Sequence, residues 1–289
     1  MADDQETFRR MMELHEHPVV QNFYQHVQLI AGFSLPPSIR VLFENHRHHC
    51  FDEPCPDFTT GWGTQSPNWK WQKLHHESIF GSTQSAAAAV IYHSENLLRM
   101  EREVLSFRDI DLLIPLIGRA AIGGGNTQKL DFEYHAFIFA YRRTLDYLSR
   151  GIAALVKEEC KSYNKLPTSL HNHSGKPWVR QLTDMHSKYS SRLKTFVHPA
   201  RGHSVRDRIS HYLHVPSGCL NVNAQGVFFA GGGENLEHSQ KLGDVIGKYV
   251  HTLWDVLTEC FSAMSAGMPK TPPNIAFEGD TTKAACPST

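Results

Sequence analysis

The sequence predicts a mainly α protein: a helical bundle with a small β-hairpin inserted before the last helix. Three observations carry that expectation. Apolar residues recur at spacings of three and four through five separate segments. A short pair of segments, Cys219 to Asn223 and Val227 to Ala230, is split by Ala224-Gln225-Gly226 as a hairpin would be. Of 289 residues, 40% are hydrophobic and 20% charged, a balance that can bury a core.

The elements follow in order. Asp3 to Phe33 reads as helix from Phe8, Met11, Met12, Val19, Val20, Phe23, Val27 and Ile30, with Pro18 breaking or restarting it. Pro36 and Pro37 open a short helix through Phe43. From Asn45 to about Gln72 the pattern dissolves. His46, His48, His49, Cys50 and Cys55 cluster there, loosely compatible with tetrahedral ligation, but no second Cys/His pair follows at finger spacing. The stretch is therefore read as a surface loop whose tryptophans pack onto the body. Ser82 or Thr83 caps the next expected helix, which carries Val90, Ile91, Leu97, Leu98 and Val104. Asp109 to Ile122 continues helically, and Gly123-Gly124-Gly125-Asn126 ends it; the run lacks the lysine and hydroxyl residue of a phosphate loop.

Asp131 to Cys160 is the strongest helix, with a broad apolar face from Phe132, Phe137, Ile138, Tyr141, Leu145, Leu148, Ile152 and Val156. A polar linker precedes Pro177, which suits the first position of a helix running to Val197. After the hairpin, Leu242 to Met264 forms the final helix. Prolines, threonines and small residues from Met268 onward suggest a disordered tail, 268–289. The implied organisation is an N-terminal helical segment over 1–75, a helical domain over 82–266, and that tail.

Lysine plus arginine and aspartate plus glutamate number 29 each, so any polyanion site must be a local patch. The 19 histidines make net charge sensitive to pH between about 5 and 7. The six cysteines are scattered, the start MADDQETFRR has no apolar signal core, and no apolar run reaches a membrane span of roughly 18 residues. Together these imply a cytoplasmic protein with reduced thiols.

Chemistry concentrates at Arg206-Asp207-Arg208-Ile209-Ser210-His211. Arginine carries a permanent charge and a planar fork suited to phosphate. Histidine exchanges a proton near neutrality. Asp207 and His211 are four apart and share a helix face, whereas Arg206 stands about 140° from His211. Both reach one phosphate only if Arg206 sits in a helix's first turn or a second subunit completes the groove. His203, Asp207 and His211 are also spaced by four, as metal ligands can be. Pro199 and Gly202 set His203 outside the helix, so no metal or other cofactor is assigned.

A long helix, a linker, a second helix, R-x4-H and a final helix together resemble the HEPN superfamily (higher eukaryotes and prokaryotes nucleotide-binding) over roughly Ser82 to Ala266. Residues 1 to about 75 and the hairpin lie outside its minimal form. The resemblance implies a metal-independent endoribonuclease. The ribose 2′-OH attacks the adjacent phosphate, His211 moves the proton, Arg206 stabilises phosphoryl charge, and Asp207 orients His211. The products are a 2′,3′-cyclic phosphate and a 5′-OH. It also implies a homodimer and a place in toxin–antitoxin or phage-defence systems with an antitoxin or other protein partner. Arg201, Arg208, Arg142 and Arg143 are expected to contact RNA. Some members are catalytically silent modules binding nucleotide, RNA or protein, and that alternative stands beside the enzyme.

Overall fold

The computed structural model of the chain describes residues 2–51, 68–106, 122–123, 127–197, 204–211, 218–223, 226–231 and 241–267. The helix expected from Asp109, Arg201, His203, Cys55 and the tail from Met268 lie outside them. Among the described residues the chain is mainly helical.

Two short helices, α1 (Ala2–Glu16) and α2 (Pro18–Ala31), break at His17, directly before the proline that cannot extend the first. None of the α2 residues is buried. Helix α3 (Pro37–Phe51) continues a full two turns past the expected end at Phe43. Leu35, Ile39 and Phe43 join the main core, and Phe43 meets Phe261 edge-on at 4.9 Å.

Helix α4 (Trp69–His76) passes without interruption into a π-helical segment (Glu77–Thr83) and then α5 (Gln84–Leu105). The expected cap at Ser82 or Thr83 is absent because no helix begins there. Instead Thr83 Oγ1 donates to the Ser78 carbonyl at 2.6 Å, five residues back, within the widened turn.

Helix α6 (Gln128–Leu155) is the axis of the bundle. Leu130, Tyr134, Phe137, Tyr141, Leu145, Leu148 and Ile152, spaced by fours and threes, are all buried. Phe132, expected on that face, is 64% exposed. Helices α4 and α5 and the π-helical segment pack along α6. The helix stops short of Cys160: Lys157 takes a left-handed φ of 62°. The Glu158 N–H donates to Ala153 O and Lys157 N–H to Ala154 O, a Schellman closure made without glycine.

After Tyr163–Lys165, α7 (Leu166–Leu170) and a turn at His171–His173, α8 (Pro177–Tyr189) begins on the expected proline. It ends at Tyr189, not Val197. Ser190 Oγ bonds the Ser187 carbonyl and competes with the helical ladder, and residues 190–197 run as successive turns that still bury Leu193, Phe196 and Val197. The one-turn-plus helix α9 is Val205–His211, and α10 (Leu242–Gly267) closes the bundle against α3, α5 and α8.

The expected fold class is corrected in its β part. A self-contained hairpin inserted before the last helix is not what the chain forms. Strands β2 (Gly218–Asn223) and β3 (Gly226–Gly231) belong to a three-stranded antiparallel sheet ordered β1-β2-β3. Its first strand, β1 (Ile122–Gly123), precedes α6, with Ile122 opposite Val222 and Gly123 opposite Asn221. Two strands alone are marginal in water, and the third occupies the open edge of β2. Ile122, expected to be helical, is therefore extended.

Candidate functional site

Helix α9 owes its start to reciprocal capping. The Asp207 N–H donates to Ser204 Oγ at 3.2 Å, while Asp207 Oδ2 accepts from the Ser204 N–H at 3.3 Å and from Ser204 Oγ at 2.8 Å. Arg206 Nη1 donates to Asp207 Oδ1 at 3.0 Å. Burial pushes the Asp207 carboxyl up, but the bonds from Ser204 and Arg206 outweigh it and hold the group below the usual aspartate range. Both carboxylate oxygens are thus engaged within α9's first turn. Arg206 stands in that first turn. His211 is the last residue of α9, roughly 7.5 Å further along the axis; its side chain lies outside the described residues.

Helix α9 packs on α6, where the Arg206 guanidinium carbon lies 6.0 Å from the centre of the Phe139 ring. The Nε atoms of Arg206 and Arg208 are buried and have no hydrogen-bond partner among the described residues. Phe139 also walls a groove of about 630 Å³ between α5 and α6, lined by Ser82, Ser85, His93, Arg143 and Tyr147 among others. His93 Nδ1 and Glu133 Oε2 meet at 2.6 Å beside it.

The expected RNA-contacting arginines part company. Arg143 lines this groove. Arg142 is a structural strut: Nε donates to Asp146 Oδ2 at 2.8 Å and Nη1 to the Phe196 carbonyl at 3.1 Å, while Asp146 Oδ1 accepts the Tyr163 N–H at 2.8 Å.

A second constellation lies apart in sequence from that motif. His46 and Cys50, expected in a loop, sit one turn apart on α3 and are 1% exposed each. His75 from α4, which sequence analysis passed over, joins them at 1% exposure. His46 Nε2 and His75 Nε2 are 2.9 Å apart, and Cys50 Sγ is 3.7 Å from His46 Nε2. Burial, then the neighbouring imidazoles of His75 and His49, hold His46 well below the ordinary histidine range. Burial brings His75 down to about 4, against the opposing pull of the Gly151 carbonyl. The signal that could have found the site is His46-x3-Cys50, a spacing that aligns two donors only if the segment is helical.

No protein-family model matches the chain, and no curated protein or solved structure matches it either. No described helix is long and apolar enough to cross a membrane.

Proposed function

We propose that the chain is an endoribonuclease of HEPN type, cutting RNA without a catalytic metal. The observation that carries the reading is the placement of Arg206: first turn of α9, against Phe139, the residue that also walls the groove containing Arg143. A guanidinium beside an aromatic ring and a second arginine in the adjoining groove suit a phosphodiester and the base attached to it. His211 exchanges the proton of the 2′-OH and the leaving 5′-oxygen. Arg206 offsets charge gathering on the phosphoryl oxygens. Asp207 holds the Arg206 fork and the helix start.

Helices α6 and α10 bury broad apolar faces within the chain's own bundle, while Phe132 of α6 stays 64% exposed. A homodimer, or a complex with an antitoxin-like protein, belongs to the same reading. The silent binding module draws on a specific observation: Ser204 and Arg206 already occupy Asp207.

The test incubates the purified full chain with mixed-sequence RNA in EDTA and analyses the ends, with circular dichroism on the same samples. Cleavage to 2′,3′-cyclic phosphate and 5′-OH is expected. His211→Ala lowers the rate by about 10²–10⁴. Arg206→Lys restores only part of what Arg206→Ala loses, because an ammonium lacks the bidentate fork. RNA bound but left intact establishes the silent module. RNA neither bound nor cut refutes both the endoribonuclease and a silent module that binds RNA.

A further inference from the structure

We propose that His46, Cys50 and His75 form a binding site for a zinc-class divalent ion, separate from the α9 motif. The three donors converge: their ligand atoms all lie within 4.8 Å of one another and all three residues are buried. Zinc bonds of about 2.0–2.1 Å to nitrogen and 2.3 Å to sulfur, at tetrahedral angles, set ligand atoms roughly 3.3–3.6 Å apart. The observed 3.7 Å between Cys50 Sγ and His46 Nε2 is already close to that, and the 2.9 Å between the two Nε2 atoms needs to open by about half an ångström.

The hydrogen-bonding around His75 favours ligation. A carbonyl only accepts, so the 2.8 Å contact with Gly151 O makes His75 Nδ1 the protonated nitrogen. In the neutral ring Nε2 is then the unprotonated nitrogen, facing His46 Nε2 at 2.9 Å. This is the arrangement in which ligating histidines are oriented by a second, outer hydrogen bond. The approach depends on Gly151, where a Cβ would stand 2.5 Å from Ile79 Cδ1. Two residues after His75, at Glu77, the chain turns π-helical, a rare conformation concentrated at functional sites.

His46 supplies the independent argument. Its Nδ1 is buried and has no hydrogen-bond partner among the described residues. Its ring is held edge-on by Phe261 at 5.2 Å and lies 5.7 Å from Phe80. One N–H···N bond and one long contact to sulfur are little compensation for removing an imidazole from water. A cation bonded to Nε2 replaces those two weak contacts with a coordinate bond and leaves the ring proton on Nδ1. Two imidazoles and a thiolate select zinc-class ions over magnesium or calcium, which prefer oxygen. Binding releases the Cys50 thiol proton to solvent and forms three coordinate bonds, with no change of oxidation state.

The experiment uses the full chain, freed of metal, with Co²⁺ as the optical probe and Zn²⁺ as the competitor. Expected are ligand-field bands of a tetrahedral cobalt site and a thiolate-to-cobalt charge-transfer band, both abolished by one equivalent of Zn²⁺. Cys50→Ser removes the charge-transfer band, and His75→Ala weakens cobalt affinity at least 10-fold. Should either variant fail to fold, the wild type alone decides: added Zn²⁺ raises its melting temperature. Absence of cobalt bands together with a Zn²⁺-independent melting temperature overturns the site. So does a charge-transfer band that persists in a folded Cys50→Ser variant.

Discussion

Gly151→Ala is the substitution that best tests how α6 and the π-helical segment pack. In an exposed helix interior, replacing glycine by alanine raises stability by about 0.8–1.0 kcal/mol. At Gly151 the added Cβ meets Ile79 Cδ1 at 2.5 Å and Cγ1 at 2.6 Å, with Ser78 Cβ at 3.4 Å. Ile79 is fully buried and cannot swing into solvent. Overpacking of this kind costs about 1–3 kcal/mol, more than the propensity gain at most of that range. A net loss of up to roughly 2 kcal/mol is expected, read as a lower urea midpoint at unchanged slope. Ile79→Ala alone should cost about 2–5 kcal/mol. In the Gly151→Ala background the new methyl occupies part of that cavity, so the double variant should be at least about 1 kcal/mol more stable than the summed single effects. A Gly151→Ala protein more stable than the parent, or strict additivity with Ile79→Ala, would refute the close-approach argument.

Four further outcomes are expected. Ser204→Ala removes half of the reciprocal cap on α9 and should cost about 0.5–2 kcal/mol in urea unfolding, whereas Ser204→Asn should lose little. Lys157→Gly relieves a left-handed residue and should raise stability by up to about 1 kcal/mol; a loss would mean that the Lys157 side chain contributes unnoticed contacts. Glu101, raised above the usual carboxylate range by burial and by Asp244 against the opposing Gly243 N–H, binds a proton more readily folded than unfolded. Its contribution is therefore present below its unfolded pKa and fades as pH rises through the folded one. Glu101→Gln, which keeps an acceptor for Gly243, should be more stable than the parent at pH 7, and that advantage should vanish in acid titration toward about pH 4. Arg142→Ala should lower stability by about 1–3 kcal/mol with RNA affinity preserved in the folded fraction, while Arg143→Ala does the reverse; equal loss of affinity in both would sink the distinction between strut and groove lining.

The run of helices and its punctuation follow from local patterning alone. Large apolar residues of α6 from Leu130 to Ile152 are spaced so that only a helix can place them on one side, and Pro18 and Pro177 act through φ and the missing N–H whatever surrounds them. Arg206 in the first turn of α9 is local as well, since Ser204 and Asp207 cap the helix from three residues apart. Tertiary structure decided the rest. Asn45 to Phe51 shows no apolar stripe, because His46 and Cys50 are buried as polar donors facing His75, and a pattern that counts only hydrophobic residues reads them as loop. The end of α8 at Tyr189 and the π-helical widening near Thr83 depend on hydroxyls bonding carbonyls within the helix, where a polar residue leaves no periodic trace. Ile122–Gly123 pairs with a strand about a hundred residues later, and no window along the chain contains both partners. Arg142 and Arg143 are adjacent and chemically identical. One points at Asp146 and Phe196 and the other into the groove, because successive residues on a helix diverge by about 100°.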